Sequence, residues 1–161
     1  MIVKKQIIKE EDTKVTFYGI TLLSREEYLE HADLISNLAE WWWWLRSPGG
    51  LRYTAKRVDF DGSLDTNFVY SVGGGVRPVL IGNFKSSNLE CGAKFKLAGH
   101  TWTVLNDEMA LCDECVGRTC FRKDEQAPDA NNYDTSDIKA WLYNWAEENM
   151  IYFTMQAFDL D

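Results

Sequence analysis

A chain of 161 residues, 45% hydrophobic and 26% charged, is long enough to bury a real core as one compact domain and too apolar to be disordered throughout. Its 25 Asp and Glu against 17 Lys and Arg give a formal charge of −8. That argues against a nucleic-acid-coating protein, because phosphate neutralisation needs a net basic face.

Residues 15–23, Val-Thr-Phe-Tyr-Gly-Ile-Thr-Leu-Leu, are β-branched and aromatic and predict a strand. Ser24, with Glu27 three residues on, forms a capping box and predicts a helix over 25–38. Tyr28, Leu29, Ala32 and Ile35 fall near one face of it. Four consecutive tryptophans, Trp41 to Trp44, open the next segment. In a strand, Trp42 and Trp44 point one way and Trp41 and Trp43 the other, so both faces need cover. Pro48-Gly49-Gly50 stops that strand. Residues 53–59 and 67–72 read as two more strands around the turn pair Asp61-Gly62. Gly73 to Gly75 lead into Val76-Arg77-Pro78-Val79-Leu80-Ile81, a short strand whose proline suits an edge or a bulge.

Lys94-Phe95-Lys96-Leu97 and His100-Thr101-Trp102-Thr103-Val104-Leu105 alternate on either side of Ala98-Gly99 and predict a hairpin. Residues 109–111 read as a further short strand, and 112–133 as irregular. Asp134-Thr135-Ser136-Asp137 is a second capping signature, opening a helix near 135–149. Ile138, Trp141, Leu142 and Trp145 fall at i, i+3, i+4 and i+7. Trp141 and Trp145 are therefore expected to be buried against the sheet, with Lys139 and Glu147 solvated. Residues 151–158 could add a strand. The sum is an α+β fold, a single compact domain over 1–161 with a twisted antiparallel sheet and two main helices. It has a first half at 15–84 and a second at 92–158.

The tetrad offers two readings. Trp41, Trp43 and Arg46 can form a partner-binding platform, since aromatic rings supply stacking faces. Equally, they can fill the core under the loops, with Arg46 paired to a buried carboxylate. Asp59, Asp61 and Asp65 contain a D-x-D-G fragment of a calcium loop, but the third regular ligand and distal Glu are not in register, so a hairpin turn is the better account. Cys112 and Cys115 have zinc-knuckle spacing; with Cys120 and Cys91 they allow a four-cysteine structural zinc, with His100 as a substitute ligand. Free buried thiols, or disulfides if the chain is exported, remain the rival readings. Catalysis has little support. There are two histidines, His31 and His100, and no nucleophile elbow or phosphate loop.

Trp43-Trp44-Leu45-Arg46-Ser47-Pro48-Gly49, then Ala55, Val58, Asp61-Gly62 and Gly75-Val76-Arg77-Pro78, form a spaced series. It resembles a family of uncharacterised bacterial and phage domains that is similar to a branch of the C-type-lectin fold, beside formylglycine-generating-enzyme-like domains and phage tropism determinants. Gly99-His100-Thr101-Trp102-Thr103-Val104-Leu105 and Ser136-Asp137-Ile138-Lys139-Ala140-Trp141-Leu142 resemble the same family's strand and helix. There those two segments usually precede W-W-L-R-S-P-G; here they follow it, as in a circular permutation or a cut taken from a longer run of such modules. The resemblance covers roughly residues 17–149 and implies a C-type-lectin-like fold in permuted order.

Together these readings give a non-catalytic binding protein of phage or mobile-element origin, stabilised by zinc, whose partner is a protein or glycan. The alternative is a small acidic phage-encoded inhibitor of a host defence nuclease, of the anti-CRISPR type, presenting carboxylates where phosphates would sit. Candidate carboxylates are Glu26, Glu27, Glu30 and Asp33, with Asp124, Glu125 and Asp129. No direct nucleic-acid or membrane contact is expected: no run approaches the roughly 18 apolar residues of a spanning helix. Met1-Ile2-Val3-Lys4-Lys5-Gln6 lacks the apolar stretch of a secretory signal, so the host cytoplasm or the phage particle is the expected location.

Overall fold

Brief runs of β-branched and aromatic residues, interrupted by glycine, proline and aspartate, make short strands. The computed structural model, which describes residues 7–8, 15–35 and 41–154, arranges eleven of them in two sheets. One sheet holds β1 (Ile7–Ile8), β2 (Phe17–Thr21), β7 (Val79–Gly82), β8 (Lys94–Leu97), β9 (His100–Val104) and β10 (Met109–Cys112), in the order β1-β8-β9-β10-β7-β2. The other holds β3 (Trp43–Pro48), β4 (Thr54–Val58), β5 (Leu64–Phe68), β6 (Gly75–Val76) and β11 (Gly117–Arg118), in the order β11-β6-β3-β4-β5. Pairing is antiparallel except for β1 with β8 and β3 with β6. The chain is one compact α+β domain, and the halves at 15–84 and 92–158 interleave: β2 lies in the first sheet and β11 in the second.

The sequence predicted one sheet; the second arises at Arg77-Pro78. Proline has no N–H to continue a ladder, so the strand expected over 76–81 divides there. Val76 ends β6, its carbonyl accepting from the Val116 amide at 2.9 Å, while the Pro78 carbonyl accepts from the Cys112 amide at 2.9 Å beside β7. The strand expected over 67–72 lies instead at Leu64–Phe68. Asp61 accepts from both the Ser63 amide and hydroxyl, which tightens the turn and lets pairing resume earlier. The predicted hairpin is present, with Ala98 at φ 55° and Gly99 at φ 78°, positive at both central positions as a two-residue hairpin turn needs.

The hydrophobic core has two compartments. Ile20, Leu22, Trp44, Leu80, Phe95, Trp102, Phe121 and Leu142 fill one. Leu23, Tyr28, Trp43, Leu45, Val79 and Leu111 fill the other. Strand β3 is thus covered on both faces, Trp44 toward one compartment and Trp43 toward the other.

Helix α1 (Arg25–His31) begins with the expected capping box but tightens into a 3₁₀ turn at Ala32–Leu34. Only Tyr28 of α1 is buried, while Leu29 and Ala32 are exposed, so one anchoring side chain holds a helix shorter than predicted. Residues 36–38 of that prediction lie outside the described residues. Helix α2 (Asp137–Glu148) is capped by Ser136, whose hydroxyl accepts from the Lys139 amide. Its fully buried stripe is Ile138, Leu142 and Ala146. Trp141 and Trp145, expected in the core, flank that stripe half-buried. The i, i+4, i+8 row faces the sheet, and the indoles reach sideways, Trp141 over Gly117 and Trp145 toward Trp102 at 6.3 Å. Glu147 is exposed as expected, while Lys139 is half-buried, its Nζ 6.0 Å from the Tyr133 ring. Through residue 154 the tail is not a strand, although the Thr154 amide donates to the Phe17 carbonyl; residues 155–158 lie outside the described residues.

Candidate functional site

The first three tryptophans of the tetrad each carry an arginine. Arg118 lies 4.2 Å from the ring of Trp41, Arg57 5.2 Å from Trp42 and Arg77 4.9 Å from Trp43. Trp44 instead meets Trp42 and Phe121 edge-on and donates its indole N–H to the Thr119 carbonyl. Trp43, expected on a partner-facing platform, is 2% exposed and edge-on to Tyr28. It is a core residue, packed with Leu23, Tyr28, Leu45, Val79 and Leu111 in the second compartment. Trp41 stays 40% exposed, with its N–H tied to the Gly73 carbonyl.

Arg46 and Glu27 are brought together, and each satisfies the other. The guanidinium grips both carboxylate oxygens at 2.5 and 3.0 Å, and its Nη1 also donates to the Leu22 carbonyl at 2.6 Å. Glu27 further accepts from the Ser24 amide that it caps. Burial raises the Glu27 carboxyl, but the Arg46 bonds, the Ser24 bonds and the Arg46 charge together hold it below the usual carboxylate value. Glu27, expected as a partner contact, thus clamps α1 to β3, and Arg46 takes the carboxylate partner that the core reading gave it. Glu26 and Glu30 lie four residues apart on α1 and are exposed, with Asp33 exposed in the turn beyond. Asp129 is bound to Arg122 and Thr135, and Asp124 caps the Gln126 amide.

Beyond the clamp, the Arg46-Ser47-Pro48 end of β3 faces the segment Asn131-Asn132-Tyr133-Asp134 across an open cleft of about 430 Å³. Both walls are fixed. The Ser47 hydroxyl accepts from the Arg25 amide, and the Asn131 Nδ2 donates to the Leu51 carbonyl. Asn132 Oδ1 accepts from the Asp134 amide and starts a 3₁₀ turn, Tyr133–Thr135. Arg122 donates to both oxygens of Thr135 and to Asp129, which holds the turn from behind. Burial pushes the Tyr133 phenol up to about 12. Its hydroxyl is buried without a hydrogen bond, although the Thr21 side chain lies close.

The four cysteines are free thiols in four settings. Cys112 and Cys115 both lie near the Arg77 guanidinium. Burial pushes the Cys112 thiol up to about 12 and raises Cys115. Cys91 is exposed and donates to the Leu105 carbonyl. Since Cys112 pairs across from Trp102, three residues before Leu105, the two sit roughly 10 Å apart along the sheet. Cys120 is buried beside the start of α2, near Asp137. His100 bonds Glu114 at 2.6 Å and faces Trp145. Among the described residues no three His, Cys, Asp or Glu side chains gather as a metal-ligand set.

The W-L-R-S-P and G-V-R-P segments thus meet in space, with Trp43 paired to Gly75 and the Gly75 amide donating to the Trp42 carbonyl. Residues 4–81 match the family model described as a domain of unknown function (DUF6273). The DUF6273 match takes in β1 to β6 and most of β7, including Arg46, Ser47, Pro48 and Arg77. The Asn131–Asp134 wall of the cleft lies beyond it. No curated protein and no solved structure matches the chain. Among the described residues no helix is long and apolar enough to cross a membrane.

Sequence reasoning missed Asn131, Asn132 and Tyr133. The available signal was the Asn-Asn pair just ahead of a helix cap, where side chains hold loop amides. It also missed a ring stack on the surface, Tyr53 with Phe68 at 5.9 Å and Phe68 with Tyr70 at 5.4 Å. Phe68 and Tyr70 flank the fully buried Val69, an alternation legible in the chain.

Proposed function

We propose that the chain is a non-catalytic binding protein that recognises a protein or glycan partner at the cleft between Arg46-Ser47-Pro48 and Asn131–Asp134. The observation that carries this is the cleft's construction. Polar side chains converge on it from two rigid elements, and most of their internal bonds are already made, so little ordering is needed on binding. Its strongest ion pair is neutralised internally and its phenol is held protonated, so it offers no activated nucleophile or base. The phage or mobile-element origin and the C-type-lectin-like relationship rest on the sequence resemblance of the W-W-L-R-S-P-G and G-V-R-P segments. A structural zinc remains a proposal that the cleft does not depend on.

A second reading has its own support. Glu26 and Glu30 leave one face of α1 acidic and exposed, as a small inhibitor of a nuclease would. The two are separated by capture, presenting immobilised chain to a glycan array and to host lysate. Asp134 is 81% exposed, so Asp134→Lys alters the cleft mouth without touching the core. Retention lost in Asp134→Lys and kept in the Glu26→Lys, Glu30→Lys double variant supports the cleft. The reverse pattern, with a nuclease retained, supports the inhibitor and overturns the cleft.

A further inference from the structure

The charges around the cleft cancel in place. Arg46 is bidentate to Glu27, and Asp134 has Lys139 at 3.8 Å. Among the described residues, both charged side chains that line the cleft thus have a partner of opposite sign, which disfavours a phosphate, a carboxylate terminus or a cation. What remains is a set of neutral groups of both polarities. With its Nδ2 committed to Leu51, Asn131 offers its amide oxygen; with its Oδ1 committed to the Asp134 amide, Asn132 offers its Nδ2 hydrogens. An acceptor and a donor on adjacent residues match two neighbouring hydroxyls, each of which can give and take a hydrogen bond. The exposed Pro48 ring supplies an apolar surface against which the C–H face of a sugar ring can lie, above the buried Tyr133. The volume of about 430 Å³ falls among small-ligand clefts.

Resting on the binding reading above, we infer that the cleft takes one neutral saccharide unit, with Asn131 accepting from one hydroxyl, Asn132 donating to its neighbour, and Pro48 packing on the ring. The unit comes either as a free sugar or as a residue of a glycan chain; its recognition chemistry is the same.

The test is titration of the whole chain, followed by amide NMR, with a panel of neutral methyl glycosides, with oligosaccharides of the same units, and with inorganic phosphate and a blocked neutral dipeptide as controls. At least one glycoside should bind in the millimolar range while phosphate and dipeptide do not. Tighter binding of the oligosaccharide assigns the source as a glycan, and equal binding assigns a free sugar. Asn132→Ser keeps an oxygen that can cap the turn but removes the Nδ2 donor, and should weaken the glycoside about tenfold. Unchanged affinity in Asn132→Ser, or binding by phosphate or dipeptide alone, overturns the inference. Absence of all saccharide binding overturns it too, and if a protein is still captured through Asp134, the binding reading stands while the saccharide assignment falls.

Discussion

The guanidinium of Arg77 lies 4.9 Å from the ring of Trp43, with its Nε donating to the Cys112 carbonyl at 2.8 Å. Arg77 is 1% exposed. It sits where the chain leaves the second sheet and enters the first, and so ties β3, β7 and the end of β10 to one side chain. Burial pulls its pKa down, opposed by the neighbouring thiols and Asp113, but a guanidinium stays charged across the accessible range. Arg77→Met should lose the charge, the hydrogen bond and part of the packing at the joint. We expect a loss of about 2–4 kcal/mol in urea unfolding with an unchanged slope. A loss under about 1 kcal/mol would show that the joint holds without its arginine.

Gly73 and Gly74 are adjacent yet opposite in consequence. A Cβ on Gly73 meets nothing within 4 Å, whereas one on Gly74 would run into the buried Trp44 indole. Gly73→Ala should be neutral within about 0.5 kcal/mol, and Gly74→Ala should cost about 1–3 kcal/mol as an overpacked core. Equal melting shifts for the two would mean that the tetrad's fourth ring is not seated against this turn.

How much of this was legible in the sequence depends on whether the signal was local. The capping boxes at Ser24 and Ser136, the Ala98-Gly99 hairpin and the two-faced burial of the tetrad follow from adjacent residues and their periods. The split at Arg77-Pro78 into two sheets did not, because a proline at an edge reads the same whether the strand bends or changes sheet. Trp141 and Trp145 share a stripe with Leu142 on any helical wheel. Only the sheet's position decides that Ile138, Leu142 and Ala146 lie at the centre. The cleft joins residues some 85 positions apart, Arg46 and Asn131, and no local pattern reports such a meeting.

Glu27 links the clamp to pH. Its folded pKa is depressed, so its contribution to stability is present above the unfolded carboxylate value, about 4.3, and is lost as pH falls through the folded value. Wild type should lose stability on acidification through that window more steeply than Glu27→Gln, measured by thermal melts. Superimposable pH profiles would show that Arg46 does not hold the carboxylate.

The thiols should differ in order of reaction. Cys91 is exposed and should be labelled first by a maleimide, Cys115 more slowly, and Cys112 and Cys120 only on unfolding. Without bound zinc, protein purified without chelator keeps this order after treatment with chelator. One zinc per chain, lowered in Cys112→Ser and with Cys91 protected until chelation, would instead show that the four cysteines do assemble.

The most direct test of the account is the amide chemical-shift map of wild-type protein at saturating concentration of its best-binding saccharide. The predicted result is perturbation concentrated at Arg46, Ser47, Asn131, Asn132, Tyr133 and Asp134, with Glu26, Glu30 and the Trp41–Arg118 pair unmoved. Shifts centred on Glu26 and Glu30, on Trp41, or nowhere at all would contradict it.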